Sequence, residues 1–368
     1  INQEMRYKER LNKLMTLLQL NGLQAMIIWD AYDLLYFTGV CGAGSLIVDV
    51  GGETRLYVPP INFETAERYA FPGLNIEKTR IDEPLEVVVA HSILGVNGVV
   101  GVDRMDVETY RRLVSMVPNI EIRPVMSMIW EIRSIKDMQE ISIIREACRI
   151  SDRAMKAASD VLSPGITENE VKSEIVSEIY RQLGEKPAFD IVVASADRSS
   201  LPHGPLQRGD VRDRVINSGD VVLIDLGVTI EGYCSDITRT FVIGKPKDSD
   251  FESVYHSVLN AKEAAQSFMR AGVSCSYVDG VARGILSEKE LDKHFIHGLG
   301  HGVGLEIHEP PRLAPTSPDQ LSEGNVVTCE PGVYFEGRWG IRIEDTLLIT
   351  DKGFELLTSY PVDEYIIY

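Results

Sequence analysis

The sequence lacks the features that mark membrane-embedded or disulfide-stabilised proteins. It has no run of 18 apolar residues and no charged-then-apolar leader, so neither a membrane span nor a secretion signal is predicted. The chain starts at Ile1, which leaves a removed leader open. Its cysteines are odd in number, widely spaced and free of any CxxC pair, which argues against a disulfide framework and a thiolate zinc site. The cysteine pattern therefore predicts that the protein is located in the reducing cytoplasm. The five cysteines are Cys41, Cys148, Cys234, Cys275 and Cys329.

Positive charge is also scarce. The chain has 37 Lys and Arg against 55 Asp and Glu, a formal net charge of -18. Nucleic acids and anionic membranes are bound through Lys- and Arg-rich surfaces, so neither is expected as a partner.

Low-complexity tracts and tandem repeats are also absent from the sequence. At 368 residues the chain exceeds what one hydrophobic core usually serves, and two globular domains are predicted.

Apolar periodicity divides the chain near residue 133. Residues 3–20 have a helical pattern, and strand-like runs at 25–29, 45–50, 55–58 and 99–102 alternate with helical stretches at 63–69 and 107–114. This alternation predicts a small α/β domain over residues 1–132. A long amphipathic helix then runs up to Ser163, and Thr167 with Glu170 has capping-box spacing. The remainder of 133–368 is strand-rich with long helices, which is typical of an α+β domain.

Four carboxyl groups and one imidazole stand out in the second half, because each lies at the end or in the middle of an apolar, strand-like run. Two like charges about 4 Å apart repel by roughly 4 kcal/mol at an effective dielectric near 20. Four carboxylates in one core would therefore have to protonate or bind cations. The set predicts a dinuclear metal site formed by Asp225, Asp236, His301, Glu330 and Glu344.

Two predicted hairpins would bring the carboxylates together. A two-residue turn at Glu231 and Gly232 would set Asp236 across from Gly227, with Asp225 as its diagonal neighbour on the same face. We expect the missing side chain of Gly227 to leave room for ions between the two carboxylates. Strand-like runs at 326–330 and 340–350, joined by a loop centred on residue 337, would likewise set residues 330 and 344 directly opposite each other.

The imidazole of His301 would be the one nitrogen ligand. It lies in Gly298-Leu299-Gly300-His301-Gly302-Val303-Gly304, where glycines allow a close approach of backbone to a crowded site. One imidazole among oxygens favours hard divalent ions, so two ions per subunit are expected, Mn or Co first and Zn or Fe as alternatives. Two such ions roughly 3.5–4 Å apart can share a hydroxide and polarise a carbonyl, which implies hydrolysis.

Around these positions the sequence resembles the pita-bread metallopeptidases (peptidase family M24), the family of proline dipeptidase, aminopeptidase P, methionine aminopeptidase and creatinase. The resemblance covers nearly the whole chain. It implies a small α/β N-terminal domain of the creatinase type, followed by an α+β catalytic domain of the pita-bread fold. The motifs that carry it are VVLIDLG, YCSDITRTF, HGLGHGVGLEIHEPP, TCEPGVYF and GIRIEDTLLIT.

The resemblance also implies roles for residues at matching positions. The five residues above would bind the metal pair, and Glu330 would in addition handle the proton of the bridging water. His297 and His308 would contact the substrate and assist proton transfer or hold the tetrahedral intermediate, which makes them catalytic candidates together with Glu330. His203 is a further substrate-binding candidate, and Phe189 with Ile307 would line an apolar pocket for the proline ring. Arg312 and Arg342 would anchor a substrate carboxylate or an acid behind the metal site.

More ordinary interpretations stand beside these. Arg342 would serve equally well as a cross-strand salt-bridge partner, and Arg312 as a surface residue. His91, His256 and His294 are expected to have no direct role. The chain also departs from the family pattern, because Ser195-Ala196 stands where Ser-Gly is frequent and the stretch between residues 203 and 225 is longer than in prolidases.

An Xaa-Pro dipeptidase of the prolidase type, acting on short proline-containing peptides as a homodimer, is the function expected first. Aminopeptidase P shares the ligands and both domains and is the nearest alternative. Methionine aminopeptidase usually lacks a comparable N-terminal domain, and creatinase-like C–N hydrolases lack the metal set. A non-catalytic peptide- or histone-binding module is the remaining alternative, although such modules have lost ligands that this chain retains.

Overall fold

The computed structural model describes residues 3–42, 44–205 and 213–368. The chain divides into two compact units, Ile1–Arg133 and Ser134–Tyr368. Across the described residues, every helix is either too short or too polar to span a bilayer.

The first unit is built on a mixed six-stranded sheet, as expected for a small α/β domain. Its central strand pairs in parallel on one side and antiparallel on the other, and the sheet order is β4-β3-β2-β1-β5-β6. The predicted helix over residues 3–20 is present, and Gly22 with φ +68 follows its end. The elements are α1 Gln3–Leu20, β1 Leu23–Ile28, α2 Ala31–Thr38, β2 Ser45–Asp49, β3 Thr54–Val58, α3 Pro60–Tyr69, β4 Asn75–Lys78, α4 Leu85–Ile93, β5 Val99–Val102, α5 Val107–Met116, β6 Glu121–Pro124 and α6 Met126–Arg133.

The second unit opens with two helices whose starts are fixed by side chains. Asp137 and Glu140 form a capping box at the first helix, and Thr167 and Glu170 form the predicted one at the second. Each box satisfies two backbone N–H groups that have no partner within the helix. The helices of this unit are α7 Met138–Val161, α8 Glu168–Arg181, α9 Phe251–Ser267 and α10 Cys275–Ser287, with short 3₁₀ turns at Ala196–Ser200 and Asp292–His294.

Strands that pair antiparallel, except for β20 parallel to β12, supply the rest of this unit, which has the expected α+β character. Two larger sheets have the orders β20-β12-β9-β8 and β14-β13-β15-β18-β19. Buried side chains of β9 and β12 pack with α7 and α8, while α9 and α10 pack with the β15 and β18 side. The strands are β7 Lys186–Pro187, β8 Val192–Ser195, β9 Val221–Leu226, β10 Val228–Ile230, β11 Tyr233–Cys234, β12 Ile237–Ile243, β13 Gly300–Gly302, β14 Glu309–Leu313, β15 Val326–Cys329, β16 Gly332–Phe335, β17 Trp339–Arg342, β18 Asp345–Ile349, β19 Phe354–Leu356 and β20 Ile366–Ile367.

Candidate metal centre

The first predicted hairpin is present with the predicted register. Asp225 on β9 pairs with Thr238 on β12, and the same register continues through β10 and β11 to a turn at Glu231 and Gly232. Both turn residues have positive φ, +46 and +81, as a two-residue hairpin turn requires. This register places Asp236 opposite Gly227.

The interpretation of Gly227 as a space-holder between carboxylates is wrong. A Cβ atom built there would lie 2.2 Å from the carbonyl oxygen of Ser235 and 2.7 Å from Cε1 of Phe189. The glycine therefore permits close packing of backbone and an aromatic ring. Gly300 acts similarly beside His301, since a Cβ there would lie 2.2 Å from the carbonyl oxygen of Thr328.

The second hairpin also has the predicted register, but its ladder is interrupted at the two carboxylates. The pairing of β15 with β18 and of β16 with β17 follows one register, which sets Glu330 opposite Glu344. The predicted single strand over residues 340–350 is instead divided into β17 and β18. At the break the N–H of Glu330 donates to Leu299 O at 2.8 Å, and that of Glu344 donates to Thr238 O at 3.1 Å. The break therefore joins the carboxylate-bearing strands to the neighbouring elements.

These elements bring the acidic side chains and His301 into one buried cluster. Ligand atoms of Asp236, His301 and Glu344 all lie within 4.8 Å of one another. Nε2 of His301 is 3.2 Å from Oε1 of Glu330 and 3.6 Å from Oδ2 of Asp236. The fifth residue, Asp225, lies beside the cluster and pairs with the guanidinium of Arg342 at 2.6 Å.

The orientation of His301 suits a metal ligand. Its Nδ1 lies 3.0 Å from the carbonyl oxygen of Gly302, which can only accept a hydrogen bond. In the neutral imidazole the proton therefore lies on Nδ1, and the lone pair of Nε2 faces the carboxylates of Asp236 and Glu330. Two negative groups facing a lone pair are stable only with a cation among them, either a proton or a metal ion.

The pKa values of the carboxyl groups also indicate that the site needs added positive charge. Burial, followed by repulsion from neighbouring carboxylates, raises the pKa values of Asp236 and Glu344 well above their usual range. Burial also raises the pKa of Asp225, against the opposing charge of Arg342. Burial acts to raise the pKa of Glu330 as well, but a hydrogen bond from His301 in its protonated form and nearby positive charges lower it to about 2. Asp225, Asp236 and Glu344 therefore resist ionisation without added positive charge, and Glu330 ionises beside a protonated His301.

Two buried carboxyl oxygen atoms indicate that metal ions would fit between the candidate ligands. Oδ1 of Asp225 and Oε1 of Glu344 have no hydrogen-bond partner, although the other oxygen of each carboxyl group is hydrogen-bonded. An unpaired buried carboxylate oxygen costs free energy unless a cation satisfies it. The donor set of carboxylate oxygens and one imidazole therefore fits divalent ions of the hard or intermediate type.

A hydrogen-bonded chain joins Asp225 to His297. Arg342 donates to Oδ2 of Asp225 and, at 2.8 Å, to the hydroxyl of Tyr334. That hydroxyl lies 2.9 Å from Nε2 of His297, whose Nδ1 lies 2.8 Å from the carbonyl oxygen of Gly298. Since Nδ1 must donate to this carbonyl, Tyr334 donates to Nε2 of the neutral ring. Burial lowers the pKa of His297, which favours this neutral form.

Sequence reasoning missed Tyr334, Thr238 and Thr328. Thr238 donates to Oε2 of Glu344 at 2.6 Å, and Thr328 donates to Oε1 of Glu330 at 3.0 Å. The sequence did contain a signal for the two threonines, since each lies on a predicted strand near a candidate ligand. Strand propensity explains such threonines equally well, so the signal was not specific. Arg342 is buried among protein partners, which agrees with its salt-bridge interpretation.

All twelve predicted site residues line one cavity of about 790 Å³ in the second unit. His203, His308 and Arg312 are exposed side chains of its wall, and Phe189 and Ile307 are half-buried. The His308 ring packs edge-on against His301, 4.4 Å between centroids, and burial lowers its pKa. His294 packs on Phe335 and is not among the cavity-lining residues. The residues are Phe189, His203, Asp225, Asp236, His297, His301, Ile307, His308, Arg312, Glu330, Arg342 and Glu344.

The departures from the family pattern come before and after His203 in the chain, and His203 lines this cavity. Ala196, which stands where Ser-Gly is frequent, has φ +50 in the short 3₁₀ turn before His203. In the long stretch that follows His203, residues 206–212 lie outside the described part of the chain.

Comparison with known proteins identifies relatives along the whole chain. Residues 142–351 match Metallopeptidase family M24, and residues 10–135 match the Creatinase/Prolidase N-terminal domain. The Xaa-Pro dipeptidase of Pyrococcus furiosus is 39% identical over 355 residues, covering 96% of this chain and 98% of the relative.

Solved structures extend the likeness to the fold. The prolidase from Pyrococcus horikoshii superposes with a TM-score of 0.89 at 34% identity, covering 97% of this chain and 100% of that chain. The X-Pro aminopeptidase from Thermotoga maritima superposes with a TM-score of 0.87 at 30% identity, covering 97% and 99%.

Proposed function

The chain belongs to metallopeptidase family M24 and has a creatinase/prolidase N-terminal domain, and from this premise we propose that it is an Xaa-Pro dipeptidase. The assignment includes an N-terminal domain over residues 1–132 and a catalytic domain over 133–368. Membership of the family implies a divalent metal, and the cluster of Asp236, His301 and Glu344 fits one. We propose two ions per subunit, Mn or Co first, held by these residues with Asp225 and Glu330.

The observation that carries the dipeptidase assignment is the state of Arg312. Its exposed side chain lines the same cavity as the metal-binding candidates. Among the described residues its guanidinium has no hydrogen bond or ion pair, whereas its backbone N–H donates to Asp319. An arginine fork pairs well with a carboxylate. We propose that Arg312 binds the C-terminal carboxylate of an Xaa-Pro dipeptide.

The other cavity residues would orient the peptide around this anchor. The apolar side chains of Phe189 and Ile307 provide surfaces for a proline ring, and His203 and His308 provide hydrogen-bonding groups. When bound, the divalent ions would supply an activated water and polarise the scissile carbonyl.

We assign proton handling to Glu330. Its Oε1 lies 3.2 Å from Nε2 of His301 and accepts a hydrogen bond from Thr328, and the carboxylate would accept a proton of the water at this site. His297, fixed as the neutral Nδ1–H tautomer by Gly298 and Tyr334, would contribute a polar contact to the substrate through a change of its hydrogen bond with Tyr334.

Aminopeptidase P is the second candidate, and one observation favours it. The cavity of about 790 Å³ lies in the upper part of the usual range for ligand pockets, so space remains for residues after the proline. The relative from Thermotoga maritima described as an X-Pro aminopeptidase superposes nearly as well as the prolidase.

A peptide length series separates the two candidates. The purified protein, loaded in turn with Mn²⁺, Co²⁺ and Zn²⁺, is assayed on Leu-Pro, Leu-Pro-Gly, Leu-Pro-Gly-Gly and Met-Ala-Ser. Cleavage of Leu-Pro above the longer peptides supports the dipeptidase. Cleavage of only the longer proline peptides selects aminopeptidase P, and inactivity on every proline peptide refutes both. Light scattering of the same sample tests the predicted homodimer.

A further inference from the structure

A buried acid–base pair on α10 lies behind the segment that carries His297. Asp279 is fully buried, and Arg283, four residues later, donates to its Oδ2 at 2.6 Å. The segment 295–299 has neither helical nor strand structure, so its backbone groups lack the regular partners of a helix or sheet. The pair supplies partners to this segment.

Arg283 holds two carbonyl groups of the segment at once. Its Nη1 donates to Phe295 O at 2.8 Å and its Nη2 donates to His297 O at 2.5 Å. The guanidinium carbon also lies 4.2 Å from the centroid of the Phe295 ring. Only a planar fork with several fixed donors makes these contacts together, and a lysine ammonium cannot reproduce them.

Asp279 fixes the far end of the same segment. Its Oδ1 accepts a hydrogen bond from the N–H of Leu299 at 2.9 Å. The carbonyl oxygen of Leu299 in turn accepts from the N–H of Glu330 at 2.8 Å. Backbone contacts therefore hold His297 from both sides, and its ring is held separately by Gly298 and Tyr334.

We propose that Asp279 and Arg283 are positioning residues that set the place of the His297 imidazole in the active site. This inference rests on the proposed peptidase function. Neither residue is among those that line the cavity, so both act through the backbone of 295–299. Misplacement of a reacting group by about 1 Å can lower a rate by about a hundredfold.

The test is a double-mutant cycle between Arg283→Lys and His297→Ala. In the wild-type background we expect Arg283→Lys to lower kcat on the cleaved proline peptide by about tenfold or more, with KM within about threefold. In the His297→Ala background the same change should lower kcat by less than about twofold, because the group it positions is gone. An equal loss in both backgrounds would overturn the proposal. Arg149→Lys, in an exposed pair with Glu146 on α7, is the matched control and should leave kcat unchanged.

A spectroscopic readout keeps the test independent of the substrate. In the Zn²⁺-loaded protein, the Nδ1–H proton of His297 is assigned by its loss in His297→Ala. Arg283→Lys should shift or broaden this resonance, and an unchanged resonance would refute the proposal even if no peptide is cleaved. If Arg283→Lys does not fold, Asp279→Asn, which keeps an acceptor for Leu299 and removes the charge paired with Arg283, should change the resonance in the same way.

Discussion

The ion pair between Lys136 and Glu309 gives the sharpest prediction about stability. Nζ of Lys136 lies 3.0 Å from Oε2 of Glu309, and each side chain is only 1% exposed. Glu309 also accepts a hydrogen bond from the N–H of Glu306 at 3.1 Å, and it follows His308 in the cavity wall. The pair therefore holds the loop on which two substrate-binding candidates, Ile307 and His308, are carried.

We expect Lys136→Met to destabilise the protein strongly. The substitution keeps most of the apolar stem but removes the positive charge of Lys136 from beside the buried carboxylate of Glu309. Removing one partner of a buried ion pair typically costs about 3–5 kcal/mol. For a unit of about 235 residues this corresponds to a fall in Tm of about 6–20 °C.

The assay is differential scanning calorimetry of the variant beside two controls. Arg145→Met breaks the exposed pair with Glu355 and should cost about 1 kcal/mol or less. Lys136→Met combined with Glu309→Gln should recover at least half of the lost stability, because no buried charge then remains. If Lys136→Met lowers Tm no more than Arg145→Met, or if the double variant is as unstable as the single one, the reasoning from buried charge is wrong.

Three further predictions concern the site. Arg312→Met should lower kcat/KM for Leu-Pro by about tenfold or more, since a hydrogen bond to a charged group contributes about 1.5–3 kcal/mol, and should leave kcat/KM for Leu-Pro amide unchanged. Arg270→Met, at an exposed position outside the cavity, is the control. An equal loss on both peptides would exclude carboxylate binding by Arg312. Ala196→Gly should raise stability by about 0.5–1 kcal/mol, because relief of the left-handed φ of +50 outweighs the added entropy of the unfolded chain; an unchanged or lower urea midpoint would contradict this. Chelation should lower Tm, and Mn²⁺ at one hundred times Kd should restore it by adding about 2.7 kcal/mol to the free energy of unfolding. Glu344→Gln should weaken this dependence of Tm on metal. A Tm that chelation leaves unchanged would count against a metal site.

Several elements could be predicted because their signals are local. The helix over residues 3–20 ends where periodicity stops at Gly22, and the capping box of Thr167 and Glu170 is a spacing of three residues. Hairpin registers are similarly local, since a turn at residues 231 and 232 fixes every pairing of the strands it joins. The positions of the carboxylates relative to each other followed from these turns.

Other features depended on contacts between elements distant in the chain. The space beside Gly227 is filled by Phe189 and the backbone of Ser235. At the breaks in the second hairpin, the N–H groups of Glu344 and Glu330 donate to the carbonyl oxygens of Thr238 and Leu299. The commitment of Arg342 to Asp225 and Tyr334, and the absence of a side-chain partner for Arg312 among the described residues, could not be distinguished in sequence. From the sequence, both arginines were expected near a substrate carboxylate or an acid behind the metal site.

The sequence by itself determined that four carboxyl groups and an imidazole stand at the ends or in the middle of strand-like runs, because strand alternation and turn length are set by neighbouring residues. Only the tertiary structure decided which oxygens of those groups remain without hydrogen bonds, which tautomer His301 and His297 adopt, and which residues of α10 hold the segment around His297. Those outcomes depend on the directions in which side chains from separate elements meet, and no local spacing encodes them.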